Sequence, residues 1–306
     1  MNLPQDFIIT IQNTYGEKGC KFLNSLPGII DEASCLWNLT QLKTVPNLSY
    51  NYVAFAHHPV PNSRQLEEVV LKIGVTDREL MSEMTALRHF NGRGSVRLLE
   101  ADQRKGTFLL EHLRPGEMLA TLEDDELATN TAAGVMLKLW QPAPIDDALI
   151  QLVDWFKGFV RLRTRFGGST GPLDKNLVET AEGAVKEFFA EDFAPMLIHG
   201  DLHHFNILTS ERGWLAIDPK GVIGPAAYEV GPLLLNPWSE INNPADWLRV
   251  TERRISILAE RLGFERERIR KWGLAHAVLS AWWSLEDNAA WEYAMDCARL
   301  LSKVHN

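Results

Sequence analysis

Three polar side chains in the second half of the chain have the types and spacing of a magnesium-dependent site. Asp201 and Asn206 lie five residues apart in Ile198-His-Gly-Asp-Leu-His-His-Phe-Asn-Ile-Leu208, and Asp218 follows in Leu215-Ala-Ile-Asp-Pro-Lys-Gly221. A carboxylate and an amide oxygen beside a second carboxylate make the hard-oxygen environment that Mg²⁺ prefers. The remaining carboxylate is then free to accept a proton.

These residue types match the chemistry of phosphoryl transfer. In that reaction an aspartate of a loop orients the acceptor hydroxyl, while an asparagine and a later aspartate hold the metal. The metal neutralises charge on the transferring group, and the protein mainly positions the reactants. Two short apolar segments, 196–199 and 214–217, are predicted to be the strands that bring the three side chains together.

The first third of the chain is predicted to be rich in strands. Four segments are bounded by turns with Pro59, Pro61, Gly74 or Gly106, and they predict strands at 52–57, 68–73, 96–100 and 107–112. The last two are predicted to form a hairpin. One helix interrupts them, because Thr76 and Glu79 fit a capping box at its start.

From residue 114 onward the pattern is mostly helical. Apolar residues recur at helical spacing, and Leu152, Trp155, Phe156 and Phe159 are predicted to share one buried face. The tail from Ala245 is also helical in pattern. The segment Arg114-Pro-Gly116 breaks the pattern and is a predicted hinge between 1–113 and 114–306. We therefore expect a bilobal α+β protein with a ligand in the cleft between its lobes.

Composition and charge exclude several classes of protein. The 306 residues are 45% hydrophobic and 23% charged, as in ordinary globular proteins. A formal charge of −9 disfavours binding to nucleic acid or anionic membranes. No apolar run approaches the roughly 20 residues of a membrane span, and no signal-peptide pattern opens the sequence. Three scattered cysteines fit a reducing compartment, so we expect a cytoplasmic protein.

Two segments carry a resemblance to a known family. His199-Gly-Asp-Leu-His-His-Phe-Asn206 resembles the catalytic loop of the aminoglycoside phosphotransferases, which share a bilobal protein-kinase-like fold. The segment 213–229, with its Asp-Pro-Lys-Gly run, resembles more narrowly the streptomycin 6-phosphotransferase and hydroxyurea phosphotransferase branch. The resemblance is sharp over 196–235 and diffuse elsewhere. It implies transfer of a phosphate from ATP, with Mg²⁺, to a hydroxyl of a small molecule.

The resemblance also implies roles for single residues. Asp201 would be the catalytic base, and Asn206 and Asp218 would bind magnesium. Lys72, in Val-Val-Leu-Lys-Ile, would contact the α- and β-phosphates of ATP. Strand pleating turns Lys72 away from its apolar neighbours and toward a cleft.

Glu83 is the preferred partner of Lys72. It borders the apolar face of the predicted helix, whereas Glu79 points further toward solvent. Lys220 has two open possibilities at the sequence level, because it could reach a phosphate or pair with a carboxylate.

Further nucleotide contacts follow from position in the resemblance. Glu111 and Leu113 end the hairpin, where family members bond adenine through backbone groups. The glycine-rich loop of protein kinases is absent, and Ser49 and Asn51 stand in its place as candidate phosphate contacts. Glu229 replaces an aspartate of many members and is expected to support the catalytic loop.

The acceptor is predicted to bind beside the helical tail. Residues 114–306 carry −8 of the net charge, which suits a cationic molecule. The tail also holds acidic and aromatic residues that suit a guanidinylated or aminated sugar: Glu240, Asp246, Glu286, Asp287, Glu292, Trp238, Trp247, Trp272, Trp282, Trp283 and Trp291. Glu286 and Asp287, beside Trp282-Trp283, are the predicted substrate contacts.

Three alternatives remain open at the sequence level. The protein could be a housekeeping kinase of choline, a sugar or an amino-sugar alcohol, or a nucleotide-binding protein without catalysis. A metal-dependent hydrolase is disfavoured, because His199 and His203 have zinc-like spacing but lie in a glycine-containing loop. His199 is instead expected to orient that loop. The sequence indicates no oligomeric state.

Overall fold

A five-stranded antiparallel sheet organises the first third of the chain. The computed structural model describes residues 3–60, 65–237 and 243–305, so Pro61, Trp238 and Glu240 lie outside the described residues. The strands are β1 (Thr40–Thr44), β2 (Tyr52–Pro59), β3 (Leu66–Ile73), β4 (Leu98–Asp102) and β5 (Thr107–Glu111). They lie in the order β1-β2-β3-β5-β4. The four predicted strands and the β4–β5 hairpin are confirmed, and β1 is an additional edge strand.

A long helix that the sequence patterns do not predict covers one face of this sheet. This helix, α1 (Gln5–Leu36), shares an apolar cluster with Val69, Leu71 and Ile73 of β3. Gly16 interrupts it with φ 54° and ψ −129°, and Pro27 lies inside it. The sequence patterns do not predict this helix, because glycine and proline normally mark breaks in a helical pattern.

The predicted helix after β3 is present and covers the opposite face. It is α2 (Arg78–Phe90), and its N-cap is Asp77, whose carboxylate accepts a hydrogen bond from the Leu80 N–H at 2.8 Å. The prediction of Thr76 as the cap is therefore wrong by one residue. Both residues can cap a helix, and the backbone of this turn places the Asp77 carboxylate over the free N–H groups.

Helices dominate from residue 114 onward, as predicted. They are α3 (Asp125–Leu139), α4 (Leu152–Arg165), α5 (Lys175–Ala190), α6 (Val230–Leu234), α7 (Pro244–Leu262), α8 (Arg266–Glu286) and α9 (Glu292–Lys303). The helix α8 is buried along most of its length and packs against α4, α5, α6, α7 and α9. The predicted division between 1–113 and 114–306 falls between the end of β5 and the start of α3, and it stays a prediction.

Short strands flank the two loops that contain Asp201 and Asp218. A four-stranded sheet has the order β6-β8-β11-β7, formed by β6 (Gln141–Pro142), β7 (Ile150–Gln151), β8 (Met196–Ile198) and β11 (Val222–Gly224). A separate hairpin joins β9 (Ile207–Leu208) and β10 (Leu215–Ala216). The predicted strands at 196–199 and 214–217 are thus confirmed, with slightly shorter bounds. Among the described helices, none is long and apolar enough to cross a membrane.

Candidate active site

Asp201 lies in a tight loop that follows β8. Gly200 has φ 88°, and a side chain there would overlap Val222, so the loop requires glycine. His199 is buried, its Nε2 donates to the Ile217 carbonyl at 2.7 Å, and its Nδ1 accepts from the Asp201 N–H at 3.2 Å. These bonds require a neutral imidazole, and burial lowers the pKa of His199 to about 3. His199 therefore fixes the loop as an uncharged hydrogen-bonding bridge.

Glu229 supports the same loop from behind. Its carboxylate accepts the N–H groups of His199 at 2.6 Å and Gly200 at 2.9 Å. The side chain is fully buried, and burial raises its pKa to about 7. Glu229 therefore holds the loop that carries Asp201, as expected, although it is a glutamate and not an aspartate.

Asn206 is tied to Asp201 in a way that leaves an oxygen available. Its Nδ2 donates to the Asp201 carbonyl at 3.0 Å, so its amide oxygen is not the group used in that bond. The Nε2 of His203 lies 3.8 Å from the Asp201 carboxylate, whose side chain is 37% exposed. Burial raises the pKa of the Asp201 carboxyl. The carboxylate is accordingly a stronger proton acceptor than an aspartate in water.

Lys72 joins the strand-rich part to Asp218. Its Nζ lies 2.6 Å from the Glu83 carboxylate and 3.1 Å from that of Asp218, and the residue is only 3% exposed. Burial disfavours the ammonium, but Asp218 and Glu83 outweigh it and hold the pKa of Lys72 above its ordinary value. Burial likewise opposes ionisation of Asp218, but Lys72 outweighs it and lowers the pKa of that carboxyl. Both groups are therefore charged at neutral pH.

The second acidic residue of α2 has a different partner. Glu79 lies 2.9 Å from the Nζ of Lys220, and both side chains are partly exposed. Of the two possibilities for Lys220, the structure thus shows pairing with a carboxylate. The structure also places Glu83, and not Glu79, against Lys72.

The predicted phosphate contacts lie in the turn between β1 and β2. Ser49 is exposed there, and Asn51 is half-buried. The Asn51 side-chain oxygen occupies the space that a side chain at Gly74 would take. The structure therefore places Asn51 beside the end of β3, and the contact of both residues with a phosphate stays a prediction.

The predicted adenine contacts lie at the end of β5. The Glu111 carboxylate accepts from the Arg97 N–H at 2.8 Å and pairs with Arg212, which comes from the β9–β10 hairpin. Leu113 is buried in an apolar cluster with Leu110. The Glu111 side chain is thus engaged within the protein, and its backbone N–H donates to the Arg97 carbonyl at 3.1 Å, so its contact with adenine stays a prediction.

The predicted acceptor contacts are not brought together as a free acidic pair. Glu286 forms a two-pronged ion pair with Arg161 at 2.8 and 3.0 Å, and Asp287 is exposed at the end of α8. Trp282 is buried. Trp247 and Trp272 are core residues as well, while Asp246 and Glu292 lie in the first turns of α7 and α9.

One aromatic residue near the loop has an unexpected environment. Trp155, predicted to belong to a buried helix face, is only half-buried. Its ring lies 3.1 Å from the position that a Cβ atom of Gly200 would occupy. The helical spacing of 152–159 predicts the correct helix, but it could not show that one member of that face lies against Gly200, the residue before Asp201.

The zinc alternative finds no support in the geometry. Within residues 3–60, 65–237 and 243–305, no group of three or more His, Cys, Asp or Glu side chains is arranged to hold a metal ion. His199 uses both ring nitrogens for hydrogen bonds to the backbone. Asparagine and aspartate oxygens near Asp201 are instead the ligand type of magnesium.

Solved structures with similar folds define the class of the protein. Choline kinase LicA from Streptococcus pneumoniae superposes with a TM-score of 0.61 at 13% identity, over 91% of this chain and 98% of that one. Aminoglycoside phosphotransferase APH(4)-Ia, in complex with ADP and hygromycin B, gives 0.60 at 16% identity, over 90% and 99%. The fold is therefore that of the protein-kinase-like small-molecule phosphotransferases.

Sequence comparisons identify the family within that class. Residues 64–288 match the model of the aminoglycoside/hydroxyurea antibiotic resistance kinases. A streptomycin 6-kinase of Streptomyces glaucescens is 33% identical over 95% of this chain and 93% of its own length. A hydroxyurea phosphotransferase of Kitasatospora aureofaciens is 32% identical over 92% and 79%. The chain belongs to the aminoglycoside/hydroxyurea antibiotic resistance kinase family and is a phosphotransferase that acts on a hydroxyl of a small molecule.

Proposed function

We propose that the protein transfers the γ-phosphate of ATP to a small hydroxylated molecule, such as an aminoglycoside of the streptomycin type or hydroxyurea. One observation carries this proposal. Asp201 and Asn206 lie on a single loop that His199 links to the strand before Asp218, and Asp218 contacts the buried Lys72. A proton acceptor, two oxygen ligands and a fixed cation are the parts that phosphoryl transfer requires.

The strand-rich part of the chain is proposed to position ATP. Lys72 is held as an ammonium between two carboxylates and is proposed to contact the α- and β-phosphates. Ser49 and Asn51 are proposed phosphate contacts from the turn above. The backbone groups of Glu111 and Leu113 are the proposed adenine contacts, and they need no particular side chain.

Asn206 and Asp218 fit the magnesium ion that this chemistry uses. The Asn206 amide oxygen is not used in its bond to Asp201, and Lys72 keeps the Asp218 carboxyl ionised. When bound, Mg²⁺ neutralises charge on the transferring phosphate. Because Asn206 is hydrogen-bonded to the Asp201 carbonyl, the proposed metal ligand and the proposed base are held on one loop.

Asp201 is proposed to be the catalytic base. The acceptor oxygen forms a bond to the γ-phosphorus while the bond from that phosphorus to the bridging oxygen breaks, and ADP leaves. The proton of the acceptor hydroxyl passes to the Asp201 carboxylate. The raised pKa of Asp201 brings it closer to the operating pH, where a general base is most effective.

The test is an acceptor screen with radiolabelled ATP. We expect transfer to streptomycin or hydroxyurea, and a panel of choline, sugars and amino-sugar alcohols tests the housekeeping alternative. Asp201→Ala is expected to abolish transfer and retain ATP binding by calorimetry, while the exposed Asp192→Ala is the control. Absence of transfer to every acceptor contradicts the proposed function, and activity in Asp201→Ala contradicts the assignment of the base.

We also propose the cytoplasm as the compartment of this reaction. All three cysteines are free thiols, with Cys20 and Cys35 exposed and Cys297 buried. Free exposed thiols persist in a reducing compartment.

A further inference from the structure

Two half-buried tryptophans stand beside the loop that carries Asp201. Trp155 of α4 lies against Gly200, the residue before Asp201. Trp283 of α8 meets Trp155 edge to face, with ring centroids 5.4 Å apart and an angle of 87°. Tyr228 lies behind Trp155 at 6.1 Å. The two indoles therefore form one aromatic surface that begins at the catalytic loop.

Their exposure separates these two indoles from the two buried tryptophans of α8. Trp272 and Trp282 are 0% and 1% exposed and fill the core. Trp155 and Trp283 are only half-buried. Packing explains the first pair, but it leaves part of the second pair exposed to solvent, with Trp155 beside the loop that carries Asp201.

The charges around this surface favour a cation. Asp201 contributes one carboxylate, while Asp218 is paired with Lys72 and the nearby Lys220 is paired with Glu79. Glu286, the acidic residue predicted to receive the acceptor, is already bound by Arg161. The aromatic rings beside the loop are therefore available to a cationic acceptor, whereas the Glu286 carboxylate is already paired.

We propose that Trp155 and Trp283 form the acceptor-binding wall that selects molecules with a guanidinium or ammonium group. The cation lies over the indole faces, and this contact orients a neighbouring hydroxyl toward Asp201. Cation–π attraction is strongest for tryptophan and grows as the site excludes water. The inference rests on the proposed function, because it concerns the acceptor side of the same reaction.

The experiment compares a cationic acceptor with a neutral one in tryptophan variants. We expect Trp155→Leu and Trp283→Leu each to raise the KM for streptomycin about tenfold, with kcat much less affected. Transfer to uncharged hydroxyurea should change by less than about threefold. Trp155→Phe should recover part of the loss, since phenylalanine retains a ring face. Trp214→Leu, at a half-buried tryptophan just before β10, is the control.

The outcomes separate this inference from the proposed function. An equal loss with both acceptors, or no loss with streptomycin, overturns the inference, since it shows a structural role or none. Calorimetric titration of streptomycin without nucleotide measures the same contact without turnover. If the wild-type protein transfers no phosphate, binding that weakens about tenfold in Trp155→Leu still supports the inference, whereas absence of binding overturns it. Thermal melting of each variant identifies any that fail to fold. If Trp155→Leu fails to fold, the comparison of the two acceptors is made with Trp155→Phe.

Discussion

Among single residues, the Lys72–Glu83–Asp218 group shows how burial and charge act together. A lone buried ammonium would lose its proton, but two carboxylates within 3.1 Å keep it charged. Asp218 itself has φ 57°, a left-handed conformation that is unusual for aspartate. The fold thus holds the backbone of Asp218 in a left-handed turn while its carboxylate contacts Lys72.

Replacing the Glu83 carboxyl group by an amide should impair nucleotide use, whereas the same change at Glu79 should not. Glu83→Gln weakens a buried bond to the Lys72 ammonium, and a bond of this kind is worth roughly 1.5–3 kcal/mol, or about 10–100-fold in kcat/KM for ATP. Glu79→Gln makes the same replacement in an exposed pair of the same helix, so we expect less than about threefold. Steady-state kinetics with varied ATP provide the measurement. Equal effects of the two variants would contradict the role of Glu83.

Glu229 offers a test of how the catalytic loop is held. Its two oxygens each accept a backbone N–H, and glutamine has only one such oxygen. Glu229→Gln should therefore leave a buried donor unpaired and cost about 1–3 kcal/mol of stability, measured by urea unfolding. Activity should fall with it. Glu229→Asp keeps both acceptors and tests whether the longer side chain is required; a glutamine variant of wild-type stability would show that these bonds contribute little.

Among the secondary-structure elements, the sequence patterns predicted strands better than the first helix. The strands around Lys72 and Asp218 are short apolar runs bounded by turn residues, so their positions could be predicted from the sequence. In α1, apolar residues do recur at helical spacing, but Gly16 and Pro27 interrupt the pattern. Only contact with the sheet compensates for these breaks, and such contact is invisible in a local window.

The start of α2 allows the corrected cap to be tested. Asp77→Ala removes the carboxylate that accepts the Leu80 N–H, so we expect a loss of about 1 kcal/mol in the free energy of unfolding. Thr76→Val removes the hydroxyl of the residue first predicted as the cap and keeps its shape, and it should cost less than about 0.5 kcal/mol. Urea unfolding of the two variants measures both values. The reverse order would restore Thr76 as the cap.

Across the whole molecule, the proposed catalytic residues were predictable from the sequence, but the proposed acceptor surface was not. Asp201, Asn206 and Asp218 lie within 18 residues of sequence, so their spacing carries information. Trp155 and Trp283 are far apart in the chain and meet only because α4 packs against α8. The engagement of Glu286 by Arg161 depends on the same packing. Such long-range contacts leave no periodic signal in a single sequence.

Three buried histidines should make the whole molecule sensitive to acid. His199, His204 and His276 are each at most 7% exposed, and burial lowers the pKa of each to about 3. Unfolded histidine has a pKa of about 6.5, so below that pH the unfolded chain binds more protons than the folded one. Stability is therefore complete above about pH 6.5 and falls as the pH drops toward 3, by about 1.4 kcal/mol per pH unit for each histidine. Urea unfolding between pH 7.5 and 5 should reveal this slope.

His204 provides the sharpest test of this acid sensitivity. In the described part of the chain, neither of its ring nitrogens has a hydrogen-bond partner, so His204→Leu removes a titrating group without breaking a bond. We expect the variant to match or exceed wild-type stability at pH 7.5 and to lose about 1.4 kcal/mol less per pH unit below about pH 6. His305→Leu, at an exposed histidine near the end of the chain, should leave the slope unchanged. If His204→Leu had the wild-type slope, His204 would bind a proton as readily in the folded protein as in the unfolded chain, which would contradict this prediction.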